Sequence, residues 1–172
     1  MEQAILLTGR PGVGKTTLIE RVLQGLPHRA GGFTTREVRG PDGQRTGFEV
    51  VTLDGQVGRL AQVGLRSHHR VGRYGVDLDA LDNLAVPAMV QAQAAGWIVV
   101  VDEIGPMELF SGRFRQAIQA IIDDGQTRIL GTIMQRPNPF ADVVKSHPRV
   151  RLVEVTRTNR DALVAEIRGW LS

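Results

Sequence analysis

The chain contains no cysteine, which excludes disulfides and thiolate metal sites. It is also nearly without lysine: Lys15 and Lys145 are the only two among 21 basic residues. No apolar run approaches the roughly 20 residues that a membrane-spanning helix needs. The first such run, Ala4 to Leu7, is too short for a signal peptide and leads straight into a glycine loop. The chain is therefore expected in the cytoplasm, as a monomer with no membrane partner. Repeats, low-complexity tracts and linkers are missing too. The arginines are scattered rather than gathered in one run, so nucleic acid is not indicated as a partner. What is present is ordinary: 172 residues, 42% hydrophobic and 23% charged, with a net charge of +3. That suits one domain, residues 1–172, around one core. The slight positive balance suits an anionic substrate.

The pattern along the chain alternates strand and helix. Gln3–Thr8 reads as a buried strand and Lys15–Leu26 as a helix, with Leu18, Ile19, Val22, Leu23 and Leu26 on one face. Residues 31–60 differ. Phe33–Val38, Thr46–Leu53 and Gln56–Leu60 are β-like runs separated by turn residues, which predicts a small antiparallel insertion after the first helix. Residues 61–76 have no period and read as a long loop. Asp77–Ala95 is helical, broken or kinked at Pro87. Trp97–Val101 is a second buried strand. Ser111 is placed to cap a helix that Gly125 ends. Strands at Arg128–Ile133 and Arg151–Val155, a short helix at Pro139–His147 and a last helix capped by Asn159 complete the pattern. The fold class is α/β, a mostly parallel sheet with helices on both faces.

Gly9, Arg10, Pro11, Gly12, Val13, Gly14, Lys15 and Thr16 fit the pattern G-x-x-x-x-G-K-[ST] in full, after a strand and before a helix. Glycines let successive backbone N–H groups turn inward onto phosphate oxygens. The helix start at Lys15, Thr16 and Thr17 adds its partial positive charge. Lys15 can reach the β- and γ-phosphates of a nucleoside triphosphate, and the Thr16 hydroxyl can ligate Mg²⁺. A chain that uses arginine nearly everywhere keeps lysine here, where a compact ammonium is needed and a planar fork does not substitute.

The second strand delivers a carboxylate pair to the ligand-binding edge of the sheet. The nucleotide-facing stretch is expected to run Val101, Asp102, Glu103, Ile104, Gly105. Asp102 suits the Mg²⁺ and Glu103 the attacking water. Asp102 to Gly105 also spells the D-x-x-G of GTPases. Their N-K-x-D element is met only by Asn159-Arg160-Asp161, which lacks the lysine and the spacing.

Taken together these stretches resemble a known family, the small nucleoside-triphosphatases called thermostable NTPases and, in man, cancer-related nucleoside-triphosphatase. The resemblance runs nearly end to end. It rests on Gly9–Thr17, Gly32–Thr35 with Glu37–Arg39, Thr46–Phe48, Val71–Val76, Asp102–Gly105 with Met107–Ser111, Gly131–Ile133 and Asn159–Asp161. The run D-E-I-G-x-M-E-L-F-S is the most specific part. The resemblance implies a RecA-like P-loop fold and slow Mg²⁺-dependent hydrolysis of ATP, GTP and other triphosphates to the diphosphate. It places Lys15 and Thr16 on phosphate and metal, Asp102 on the metal and Glu103 on the water. Arg36 and Pro106 stand where many members have glutamate and lysine.

Other residues have weaker claims. Among Arg36, Arg39, Arg45 and Arg73, the sequence favours Arg39 and Arg73 as arginines that stabilise the transferring phosphoryl group. Asn159 and Arg160 are candidates to approach the base. His68 and His69 lack the further ligands a zinc site needs. Trp97 and Trp170 read as packing residues. Two rival activities share the loop. A kinase would need an acceptor pocket, which the sequence does not reveal. A nucleotide-dependent switch would use the D-E-I-G run and the 61–76 segment as moving parts.

Overall fold

The computed structural model describes all 172 residues. In chain order, β1 is Ala4–Thr8, α1 Lys15–Leu23, β2 Ala30–Arg39, β3 Arg45–Thr52 and β4 Val57–Val63. Then come β5 Arg70–Val71, β6 Tyr74–Val76, α2 Val86–Ala94, β7 Ile98–Ile104 and α3 Gly112–Asp124. The chain closes with β8 Ile129–Ile133, α4 Pro139–Lys145, β9 Val150–Glu154 and α5 Arg160–Leu171. All nine strands join one sheet in the order β5-β6-β4-β3-β2-β7-β8-β1-β9. Pairing is parallel from β2 through β9 and antiparallel from β2 outward to β5. No helix is long and apolar enough to cross a membrane.

The central strands are apolar at successive positions because both faces of the sheet are covered. Ala4 and Leu6 enter one core layer, and Ile5 and Leu7 the other. The first layer receives Met89 and Ala92 of α2, Phe114 to Ile122 of α3 and Ala141 of α4. The second receives Leu18, Ile19 and Val22 of α1 and Leu163, Val164 and Ile167 of α5. Trp170 packs at the margin of that layer as expected. Trp97 does not: it stands just before β7 and remains 36% exposed.

The insertion is larger than its sequence pattern indicates, and it is not a separate meander. Strand β2 is shared. Its residues Ala30–Phe33 pair with β7 and its residues Phe33–Arg39 pair with β3. The segment 61–76 is only partly a loop. Strand β4 runs on to Val63, and β5 and β6 form a hairpin closed by Gly72-Arg73. Strands of two and three residues are too short to show a period. The helix before β7 is continuous across Pro87. One π-helical turn, Leu81–Ala85, precedes it, and the Val86 N–H donates to the Leu81 carbonyl. Proline has no N–H and its ring crowds the carbonyl four residues back, so a widened turn absorbs it.

Helix α3 starts where its sequence says it should. Ser111 is buried, and its Oγ accepts the Phe114 N–H at 3.0 Å while donating to Asp82 on the π-helical turn. One hydroxyl thus caps a helix and ties it to its neighbour. Ser111→Ala should cost about 1–2 kcal/mol by loss of the cap. Urea denaturation of the two proteins checks this. A loss below about 0.5 kcal/mol, the range of an ordinary surface change, would show that the cap contributes nothing.

Candidate active site

The phosphate loop spans Gly9 to Gly14 between β1 and α1. Gly9 adopts φ 140°, and a Cβ there would lie 2.8 Å from the Val155 carbonyl oxygen. Only glycine permits both that backbone and that approach. The Lys15 ammonium lies across the loop, donating to the Gly9 carbonyl at 2.9 Å and the Arg10 carbonyl at 3.1 Å. Arg160, at the start of α5, donates to the Val13 carbonyl at 3.2 Å. Arg160 therefore braces the loop from outside.

Beneath the loop sits Asp102, 3% exposed. Its Oδ2 accepts the Thr16 hydroxyl at 2.7 Å and its Oδ1 accepts the Thr132 hydroxyl at 2.7 Å. Burial pushes its carboxyl above the ordinary aspartate range; the two hydroxyls and the Lys15 charge work against that. Thr132 lies in β8, between β1 and β7, inside the stretch Gly131–Ile133 that the resemblance includes, but the sequence gives it no role at the site. Its signal was modest: a threonine in the apolar run of a central strand.

Strand β7 does not end at the acidic pair but continues to Ile104. Its register against β8 slips between Val101 and Ile104, and the Asp102–Glu103 peptide is cis. A slip of this kind breaks the strict alternation of faces and re-aims side chains. Val101 and Ile104, expected at the nucleotide, are each 1% exposed and belong to the core. Their part is to fix the carboxylates between them. At Gly105 a Cβ would fall 2.5 Å from Glu103 Oε1, so that position must stay bare for the Glu103 carboxylate to fit. Burial first, and then the Asp102 charge, raise the Glu103 carboxyl above its ordinary range, against the pull of Lys15.

A third acid stands behind these two. Glu108 opens the short 3₁₀ turn Glu108–Phe110 and is 3% exposed. Its Oε2 has no hydrogen-bond partner. Burial, then the charge of Glu103, push its carboxyl well above the glutamate range.

Two hollows flank the loop. One of about 620 Å³ is lined by Arg10–Val13 and Glu154–Arg157. The other, about 390 Å³, lies on the opposite side, with Pro11, Arg45, Phe48, Tyr74, Glu103 and Glu108 in its walls. The arginines sort differently from the sequence ranking. Arg39 is held inside its own hairpin, donating to Glu37 at 2.7 Å and the Gly43 carbonyl at 2.8 Å. Arg73 pins the wall of the second hollow, donating to the Arg45 carbonyl at 2.8 Å and lying 5.3 Å from the Tyr74 ring centroid. Arg45 is the arginine that lines the hollow beside Glu103.

Asn159 does not cap α5 with its side chain. It accepts the Thr156 N–H at 2.7 Å and donates to the Glu154 carbonyl at 2.8 Å, which braces the turn after β9. Thr17 and Arg160 line a smaller hollow with Gly14, Arg21 and Asp161. No group of three or more His, Asp or Glu side chains is gathered as a metal cage. A Mg²⁺ ion does not need one, because it takes one or two protein oxygens and completes its shell from phosphate and water. Thr16 and Asp102 offer such hard oxygens side by side. The donor set therefore fits the ion.

Known proteins share this fold. A family model described as NTPase matches residues 4–168. Nucleoside-triphosphatase THEP1 of Thermotoga sp. (strain RQ2) is 43% identical over 167 residues, covering 97% of this chain and 94% of that protein. The human cancer-related nucleoside-triphosphatase is 40% identical over 182 residues, covering 97% and 95%. The crystal structure of THEP1 from Aquifex aeolicus matches with a TM-score of 0.90 at 35% identity, over 98% of this chain and 99% of that one. The solution structure of the human protein gives a TM-score of 0.82 at 38% identity, over 100% and 98%. Expectation and finding meet in the fold: a P-loop NTPase sheet with an antiparallel extension. The chain belongs to the NTPase family that includes THEP1 and the cancer-related nucleoside-triphosphatases.

Proposed function

We propose that this protein hydrolyses nucleoside 5'-triphosphates to diphosphate and phosphate in a Mg²⁺-dependent reaction with broad base tolerance. The observation that carries the proposal is Asp102, held between Thr16 and Thr132 directly under the phosphate loop, with Glu103 beside it. Lys15 exchanges its loop carbonyls for β- and γ-phosphate oxygens. Thr16 and Asp102 would hold Mg²⁺, whose chemistry there is to neutralise charge on the phosphates. Glu103 takes a proton from the attacking water, and its raised carboxyl makes it a stronger base than an exposed glutamate. The hollow beside Arg10–Val13 suits the nucleoside. Its lining combines Arg10, Glu154, Thr156 and Arg157 with the peptide edges of the loop. The cytoplasm is the compartment where such substrates and Mg²⁺ meet.

The purified protein should release phosphate from ATP, GTP, CTP and UTP with Mg²⁺ and lose that activity when EDTA is added. A phosphate-release assay decides. Turnover that survives EDTA, or that needs one base only, contradicts the proposal.

Glu103→Gln should lower turnover about 10²–10⁴-fold, because the amide keeps the shape but accepts no proton. Nucleotide affinity should stay nearly intact. Lys15→Ala removes charge from ground state and transition state alike, so affinity and rate should fall together. Asp102→Ala should resemble it, with part of the defect relieved at high Mg²⁺. Calorimetric titration with a non-hydrolysable analogue, set beside turnover, separates these outcomes. Loss of binding in Glu103→Gln would make Glu103 a structural residue.

Glu108 adds a pH dependence to stability. Its folded carboxyl titrates well above the ordinary value of 4.5. The unfolded chain gives up that proton earlier. Its stabilising contribution is thus complete below the unfolded value and falls as pH rises toward the folded one. Glu108→Gln should match the parent near about pH 4 and exceed it at about pH 8 in urea denaturation. Equal stability at both would show that the acid is relieved by another group.

A further inference from the structure

The hollow beside Glu103 has room for more than one water. Its volume, about 390 Å³, is within the size range of small-molecule sites. Its composition is also wrong for a water niche. Phe48 and Tyr74 meet edge to face at 5.3 Å between centroids and give it an aromatic wall. The Arg45 guanidinium lies 5.5 Å from the Phe48 ring centroid. Glu103 and Glu108 add their carboxyl groups to the same lining. Pro11 of the phosphate loop forms another side, so an occupant faces the end of a triphosphate bound on that loop. The aromatic wall comes from the antiparallel extension, β3 and β6, which contributes no residue to the phosphate loop.

We propose that this hollow binds a small hydroxyl-bearing molecule with a flat apolar part and that the protein transfers the γ-phosphoryl group to it. The proposal rests on the same phosphate and Glu103 assignments as the hydrolysis reading and goes beyond it. The hydroxyl oxygen forms the new bond to the γ-phosphorus. The bond from that phosphorus to the β,γ-bridging oxygen breaks, and its electron pair leaves with the diphosphate. The hydroxyl proton passes to Glu103 and then to solvent. Water takes the same course when no acceptor is bound, so hydrolysis is the default turnover of the acceptor-free enzyme.

The test is stoichiometric. The intact protein is incubated with MgATP alone and then with millimolar adenosine, pyridoxine, benzyl alcohol or glycerol. Release of ADP and phosphate is followed together, and esters are identified by ³¹P NMR. Without alcohol the two products should be equimolar; failure at this stage removes the hydrolysis reading itself. With at least one aromatic alcohol, ADP should exceed phosphate and the difference appear as a phosphate ester, while glycerol gives none. Val71→Trp, which crowds the hollow, and Phe48→Ala, which opens its wall, should each lower the ester-to-phosphate ratio about tenfold or more. That ratio is internal to each preparation and does not depend on the folded fraction. Equimolar products with adenosine, pyridoxine and benzyl alcohol overturn the proposal. So does an ester formed equally from glycerol, or one whose yield neither substitution changes.

Discussion

The structure depends on one buried carboxylate and the two hydroxyls that hold it. Asp102 is removed from water, which is costly for an ionised group unless its oxygens find donors. Thr16 and Thr132 provide one donor to each oxygen. Charge-assisted bonds of this type contribute about 1.5–3 kcal/mol each. They also link parts far apart in sequence. Thr16 belongs to the first turn of α1, Thr132 to β8 and Asp102 to β7. The phosphate loop is thereby tied to the sheet edge beneath it. Strand β8 must lie between β1 and β7 for this to happen, and the strand order provides that.

The same corner concentrates negative charge. Asp102, Glu103 and Glu108 each sit where burial opposes ionisation. Three carboxylates cannot all be charged at close range in a poorly hydrated pocket. The chain resolves this unevenly. Asp102 has two hydroxyl donors, Glu103 feels Lys15, and Glu108, with an unpartnered oxygen, is pushed well above its ordinary range. The arrangement favours any added cation that approaches Thr16 and Asp102. It also explains why position 15 is lysine in a chain with only one other lysine, Lys145. An ammonium can lie along the loop carbonyls, as it does at 2.9 and 3.1 Å, and swing onto phosphate without reorienting a planar group.

What could be read from the sequence was what is local. The phosphate loop is eight consecutive residues whose chemistry depends on their own spacing and on the strand and helix that flank them. The Ser111 cap and the Gly125 terminator are local for the same reason. Non-local features escaped. Thr132 becomes a ligand of Asp102 only through strand order. Arg36, Arg39, Arg45 and Arg73 look alike on paper, because nothing within a hairpin sequence says which arginine lines the hollow beside Glu103. Val101 and Ile104 flank the acidic pair in sequence yet face the core, since the register slip separates neighbours that look equivalent on paper. The hairpin in 61–76 did leave a sign, the two-residue Gly72-Arg73 link between Val71 and Tyr74, but its strands were too short to support it.

Strand β2 explains why the extension holds its place. Phe33 pairs with Val101 in the parallel sheet and with Thr52 in the antiparallel one. It is fully buried and packs edge to face on Phe114 of α3 at 6.0 Å. One residue is thus the joint at which the sheet changes sense. Backbone pairing on both sides leaves no hinge there. Thr35, two residues on, points to the same face of the strand as Phe33, and it lines the hollow beside Glu103. The distance from the acidic pair on β7 to the walls carried by β2, β3 and β6 is therefore set by sheet register, not by loop closure. Selectivity in that hollow must come from a fixed shape. The side chains that hold Asp102 lie on the other side of β7, on α1 and β8, so the wall and the acid are fixed by separate contacts on one shared strand.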